Sequence, residues 1–437
     1  MFLSNGTLSE SLNHLKGYLF FLTGQWVSIL GSNIVRFGII WYLTVQTGSP
    51  LILALAAFFG FAPFIIVTPI SGVFVDRWDR KKIIIFVDFM QAFLTVILIL
   101  AFAGLSIPEF NIAINFSDKE LIAIIFGTSI IFGIFGAFHA AAVDTLLPIM
   151  VPQEHLSRVN GINFLVNGGI QVIGPIVGAF ALGIMPLQDL FWLDVITFLL
   201  AVIPTFLISI PSVKRQKKQT EEKTSFKSEF NEGVSFVRAT NGLLALLAVF
   251  TAVNFFLSPV FSQIPILVSE IHLGNEEDLA FVFVMQQIGM LLGSLLMSFW
   301  KGFKNNAKGV ATGLFIGYMG MFAMVLAPIG NFVALGGGLL ITGFVLPLAN
   351  VSSETIWAKI VPKDILGRVY SVRRTIAQIS APVGILLGGL LAELFGLVLI
   401  LGIFTTLGIF LLMYAWLFTS FSQVEQLAAE SPTVMNE

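Results

Sequence analysis

One arginine lies inside an otherwise apolar stretch, and it does not stand alone. Gln25, Ser32 and Arg36 fall within about 40° of one another on a helix turning 100° per residue. They make one polar stripe, suited to line a watery cavity. An ionised group in a membrane costs roughly 2.5–3.5 kcal/mol to insert and is a functional suspect by default. A cavity arginine would favour an anionic or carbonyl-rich solute, or would hold a carboxylate. The competing reading is that Arg36 snorkels to the nearer membrane surface. A second stripe, Asn163, Asn167 and Gln171, repeats every four residues. It reads equally as cavity lining and as hydrogen bonding between helices. Proton exchange needs a carboxylate or histidine whose affinity burial has moved toward neutrality. The candidates are His139, Asp144, Asp194 and Glu393. Against them, a lone histidine is often a structural hydrogen-bonding residue. Asp144 and its later counterpart Glu354 look structural, while Asp194 and Glu393 sit toward span ends where water could hydrate them.

The elements that must carry these residues follow from composition. The 437 residues are 57% hydrophobic and 11% charged, with a mean hydropathy of +0.94. A soluble domain carries about 25% charged residues, so lipid must be part of this chain's solvent. About 20 apolar residues cross a bilayer as a helix, and the sequence offers twelve such runs. They cover 17–43, 50–75, 83–105, 120–147, 160–183 and 189–209, then 243–268, 278–299, 309–328, 332–356, 370–394 and 396–419. With both ends on one side, that side receives 21 of the 23 lysines and arginines; Lys119 faces the other side and Arg36 lies within a span. Basic residues collect in cytoplasmic loops, so both termini are expected in the cytoplasm of a multi-pass protein of the cell's plasma (inner) membrane.

The chain repeats itself. DTLLPIMVPQEHLSRVNGI (Asp144 to Ile162) aligns without gaps to ETIWAKIVPKDILGRVYSV (Glu354 to Val372), 210 residues later. Each copy joins the fourth span of a half to the fifth. A six-span unit repeated in parallel is the internal symmetry of one large transporter architecture. The expected fold is therefore all-α: twelve transmembrane helices in two six-helix, pseudo-symmetric bundles, residues 1–210 and 243–437. A mixed-charge cytoplasmic linker, 211–242, joins them and carries one amphipathic surface helix near 226–238.

Between the second and third spans the sequence reads GVFVDRWDRKK, with four cations and two carboxylates from Asp76 to Lys82. Gly72, Asp76, Arg77, Arg80, Lys81 and Lys82 match the loop pattern of the major facilitator superfamily. In the fifth span, Gly174, Pro175 and Gly178 resemble that superfamily's drug-antiporter signature. GQWVSILGSNIV (Gly24 to Val35), WYLTVQTGS and the Val-Pro-x-x-x-Leu-x-Arg connector look like the macrolide-efflux branch, which includes siderophore exporters. The resemblance implies a transporter that rocks two halves about a central cavity and commonly draws energy from proton entry. It also implies a cytoplasmic gate of Gly72, Asp76, Arg77, Arg80 and Asp144. There Asp76 would accept from the start of the eleventh span, where a helix N-terminus is partly positive. Arg80 would pair with Asp144, and Asp88 would brace them. The bland alternative is a solvated loop that fixes topology. Gly174, Pro175 and Gly178 read as a hinge or as tight packing.

Several function classes lack support. With no cysteine and four scattered histidines (His14, His139, His155, His272), metal and thiolate chemistry have no motif. GFKNNAKG lacks the spacing and the hydroxyl of a P-loop. A cofactor, a nucleic-acid partner and enzymatic activity are not expected. The expected partners are a small-molecule substrate, protons and the lipid bilayer, with the chain acting as a monomer. The leading reading is a proton-coupled exporter of amphipathic compounds such as macrolides or other drugs. The alternative is a dedicated exporter of a siderophore or other metabolite, and more remotely a membrane enzyme or receptor.

Overall fold

The computed structural model describes residues 5–75, 77–107, 112–209 and 226–429. Among these, twelve helices are long and apolar enough to cross a membrane. The first half supplies α1 (Asn5–Thr47), α2 (Pro50–Val75), α3 (Arg80–Ala103), α4 (Asp118–Met150), α5 (Gln153–Ile184) and α6 (Leu187–Leu207). After α7 (Phe226–Ala239) come α8 (Leu243–Ser262), the short α9 (Ile264–Ile266) and a π turn (Leu267–Ile271), which together form the seventh span. Then follow α10 (Glu276–Phe299), α11 (Asn306–Val325), α12 (Phe332–Ile360), α13 (Leu366–Phe395), α14 (Leu397–Phe418) and α15 (Val424–Ala429).

Helix ends obey local chemistry. The Asp79 side chain accepts from Lys81 N and Lys82 N and starts α3, so one acid of the charged loop is a cap. Asn275 and Asp278 form a reciprocal capping box at α10. Gly396, at φ 95°, makes the turn between α13 and α14. Several helices outrun their apolar windows. α1 has 43 residues, about 65 Å of helix against a hydrocarbon layer of about 30 Å. Hydropathy finds only the part of a helix that lipid must bury.

The structure departs from an all-helical chain at one place among the described residues. Leu105–Ile107 (β1) pairs antiparallel with Ile112–Ile114 (β2). Gly104, at φ 70°, ends α3, and the paired strands follow beyond the end of that apolar helix. A short hairpin is permitted there and would be costly within the bilayer.

The chain divides into two compact units, Met1–Gly48 with Leu55–Gln216, and Ser49–Ala54 with Lys217–Glu437. In the first, α6 packs on α1 and α3, α5 on α1, and α4 on α3. In the second, α14 packs on α8 and α11, α13 on α8, and α12 on α11. The same four pairings thus occur twice, the three-dimensional counterpart of the sequence repeat. Where the sequence suggested an amphipathic helix, α7 packs on α13. There Arg368 Nη1 lies 2.8 and 2.7 Å from the two carboxylate oxygens of Glu232.

Apolar attraction between helices is weak in lipid, so close packing holds membrane bundles together. In the second unit α10 presents Gly289 and Gly293, four residues apart, to α12. A Cβ at either would strike the backbone carbonyl of Leu340 or Phe344. At the end of the unit, Glu425 of α15 accepts from Asn306 N and Asn306 Nδ2, both at 2.7 Å, and from Lys359 Nζ at 3.3 Å. It thereby caps the first residue of α11, where a helix dipole favours an anion. Burial opposes this charge. The bonds from the Asn306 side chain and backbone and from Lys359 outweigh it and hold the Glu425 carboxyl below the usual carboxylate range.

Gly293→Ala is expected to destabilise the protein by about 1–3 kcal/mol. Thermal unfolding in detergent checks this, with Gly337→Ala as control, since a Cβ at Gly337 meets nothing within 4 Å. A second expectation concerns pH. Because the folded-state affinity of Glu425 for a proton is depressed, its stabilisation is present at neutral pH and lost as pH falls through the folded value. The stability gap between wild type and Glu425→Gln should therefore close in acid, and a gap unchanged with pH would contradict the cap.

Candidate functional site

The first unit encloses a carboxylate. Asp194 is 3% exposed, and three helices meet around it. Ser32 Oγ of α1 donates to Asp194 Oδ1 at 2.9 Å. Thr95 Oγ1 of α3 lies 3.0 Å from Asp194 Oδ2 and 3.1 Å from the carbonyl of Gln91. Arg36, one turn beyond Ser32, is exposed along α1 and interacts electrostatically with Asp194. The close approach of α1 to α6 makes this possible. Gly31 stands beside Ser32, and any side chain there would collide with Thr197, one turn beyond Asp194 on α6.

The arrangement has a chemical consequence. A hydroxyl has one proton to give and two lone pairs to receive with. Facing ionised Asp194, Thr95 can donate to the carboxylate. Facing protonated Asp194, it can accept from the acid and turn its own proton to the Gln91 carbonyl. Both forms of the acid thus find partners in the same geometry, which matters because an unpaired buried polar group costs about 1–3 kcal/mol. Sequence reasoning kept Asp194 both as a proton-coupling candidate and as a span-end acid that water could hydrate; the packing of α1 and α3 on α6 buries it. It did not single out Thr95. Spacing along the elements was the usable signal: Thr95 is eight residues from the end of α3 and Asp194 seven from the start of α6, which equalises their depth in two adjacent antiparallel helices.

The other polar positions are distributed differently. Gln25 is buried, at 4% exposed, and its Nε2 has no hydrogen-bond partner among the described residues. Asn163 Oδ1 accepts from Trp26 Nε1 at 2.9 Å and from Asn167 Nδ2 at 2.8 Å, so this pair ties α5 to α1. Gln171 is exposed. Gly174 and Gly178 are buried, and a Cβ on them would press on Asn33 and Phe37 of α1. Pro175 lies inside α5, which continues from Gln153 to Ile184.

Around the charged loop, Asp76 lies outside the described residues. Gly72 and Arg77 are exposed. Arg80 Nε donates to Thr145 Oγ1 at 3.1 Å, beside Asp144 on α4. Asp144 itself interacts electrostatically with Tyr18. Lys81 Nζ reaches the carbonyls of Phe206 and Ile208, both at 2.7 Å, and caps the end of α6. Deeper in the same unit, His139 Nε2 is 3.2 Å from Asp88 Oδ1. In the second unit, Glu354 pairs with Arg373 at 2.8 Å. Arg373 also lies over the rings of Trp357 and Tyr370. Glu393 is exposed and accepts from Ser49 Oγ at 2.7 Å and Leu51 N at 3.2 Å, both within that unit. Among the described residues, no cluster of three or more acidic or histidine side chains is placed to hold a metal ion.

Known proteins place this geometry in context. Macrolide efflux protein A of Streptococcus pyogenes is 27% identical over 373 residues, covering 85% of this chain and 88% of that protein. Multidrug efflux pump Tap of Mycolicibacterium fortuitum is 22% identical over 84% of this chain and 86% of its own length. A solved D-xylose-proton symporter superposes with a TM-score of 0.66 at 12% identity, covering 93% of this chain and 99% of that one. A bacterial homologue of the iron transporter ferroportin, in an inward-facing state, gives 0.66 at 12% identity over 92% and 98%. Likeness at that identity shows the fold. The family model of the Major Facilitator Superfamily matches residues 21–301, well over half the sequence, and with its twelve apolar helices the chain is a multi-pass membrane protein that belongs to this superfamily of transporters.

Proposed function

We propose that this transporter exports small amphipathic compounds, macrolides or other drugs among them, by alternating access coupled to proton entry, and that Asp194 carries the proton. The single observation behind the coupling is the Asp194 site: a carboxylate 3% exposed, held by Ser32 and Thr95 and faced by Arg36. Burial weighs against the charged form, while two hydroxyls and a guanidinium weigh for it. A group so balanced exchanges a proton for a small change in its surroundings. Arg36, exposed beside it, is suited to meet a carbonyl-rich or anionic solute as the proton arrives or leaves. Export as the direction, and amphipathic drugs as cargo, rest on the likeness to the efflux proteins of Streptococcus pyogenes and Mycolicibacterium fortuitum. The bias of basic residues toward one side supports cytoplasmic termini and residence in the cell membrane.

Inside-out vesicles with an imposed pH gradient test the proposal. Wild type should accumulate a radiolabelled macrolide and stop when the gradient is collapsed. Asp194→Asn should lose at least about tenfold of the gradient-driven accumulation, the factor that corresponds to 1.4 kcal/mol. Arg36→Ala should lose transport and Arg36→Lys should keep part of it. Accumulation indifferent to the gradient would reject proton coupling. Siderophore accumulation without macrolide accumulation would replace the cargo and leave the coupling in place.

A further inference from the structure

A second buried acid lies on the same face of α3 as Thr95. Asp88 precedes Thr95 by seven residues, about 20° apart around the helix and about 10 Å along it. Its side chain is 1% exposed, and His139 of α4 faces it with Nε2 3.2 Å from Oδ1. The two atoms are near one another but poorly aligned. Asp88 Oδ2 and His139 Nε2 are both buried without a hydrogen-bond partner among the described residues. Orphaned polar atoms are uncommon in a membrane interior, where each costs free energy. Two of them on adjacent side chains, one an acid and one a base, make a site for a proton.

The surroundings supply no competing ion within the helices that pack there. α3 packs on α4 and α6. On α4 the nearest charged residue is Asp144, five positions beyond His139; α6 carries only Asp189 and Asp194; α2 carries no titratable group. On α1, Tyr18 lies in the apolar cluster with Ile84 and Val87. On α3 itself, Arg80 donates to Thr145, Lys81 donates to carbonyls of the 206–208 segment, and Lys82 is exposed. The Asp88–His139 pair therefore has net charge −1 when it holds no shared proton. It becomes neutral when one is bound, either as carboxylate with imidazolium or as carboxylic acid with imidazole.

We propose that Asp88 and His139 form a second proton-binding site, a relay station between Asp194 and the membrane face on which the 76–82 loop lies. This builds on the antiport reading of Asp194. The proton leaves the Asp194 carboxyl, and the Asp88–His139 pair gains one on the imidazole nitrogen or the free carboxylate oxygen. The pair then gives a proton to water at that face, so charge and protons balance at each step. Gln91 and Thr95 occupy the interval on α3.

Nuclear magnetic resonance of labelled imidazoles in nanodiscs tests the site without any substrate. His139 is assigned by its loss in His139→Gln, and its signals should move with pH in wild type. The midpoint of that movement should differ in Asp88→Asn, which removes the carboxylate 3.2 Å from Nε2. Identical midpoints in the two proteins would overturn the site. In the vesicle assay, His139→Gln and Asp88→Asn should each slow gradient-driven macrolide accumulation while macrolide exchange at zero gradient continues. Gradient-driven rates equal to wild type in both variants would overturn the relay. Failure of the antiport reading is recognised separately, by wild-type accumulation that ignores the gradient.

Discussion

Hydrocarbon offers no solvent for a charge, and that constraint governs each notable feature of this chain. A carboxylate inside a membrane helix must find donors, neutralise itself or leave. Asp194 has found donors on two helices and a guanidinium on one of them. The site exists because α1, α3 and α6 approach closely enough for two short hydroxyl side chains to reach one acid. Gly31 permits that approach on one side. Everything proposed about proton movement follows from an acid that is satisfied in both of its protonation states.

The same constraint made much of the fold readable in advance. Twelve apolar runs are a consequence of lipid burial, and they, the asymmetry of lysine and arginine and the 210-residue repeat are each visible in one dimension. Helix ends were less visible because water outside the bilayer imposes weaker demands. α1 runs on past its apolar window, and β1–β2 forms beyond the end of the apolar α3. The site was legible in its members and not in its pairings. Asp194, His139 and Ser32 stood out as polar residues in apolar surroundings, whereas Thr95 did not, since threonine is common in membrane helices and satisfies itself against its own backbone. Partners emerge only when depth along neighbouring antiparallel helices is compared, as for Thr95 with Asp194 and Asp88 with His139.

Polar residues that looked alike in sequence also divide by what they touch. Asn163 and Asn167 bond to each other and to Trp26, which makes them cross-links between α5 and α1. Gly174 and Gly178 sit against α1 in the manner of packing contacts. Arg36 stays exposed beside a buried acid, a position that packing does not require and that solute recognition would use. The charged residues near helix ends mostly complete caps: Asp79 on α3, Lys81 on α6, Glu425 on α11. Charge at the ends thus secures the elements, and charge in the middle is where the proposed proton sites lie.

Infrared difference spectroscopy on oriented protein films, taken between acidic and alkaline buffer, addresses the central claim most directly. A buried carboxylic acid gives a carbonyl band that ionisation abolishes. The account predicts such a band in wild type that disappears in the alkaline buffer and is diminished in Asp194→Asn, where Asp194 no longer contributes to it. A band of unchanged position and size in Asp194→Asn, or a wild type without any titrating carboxyl signal, would contradict it.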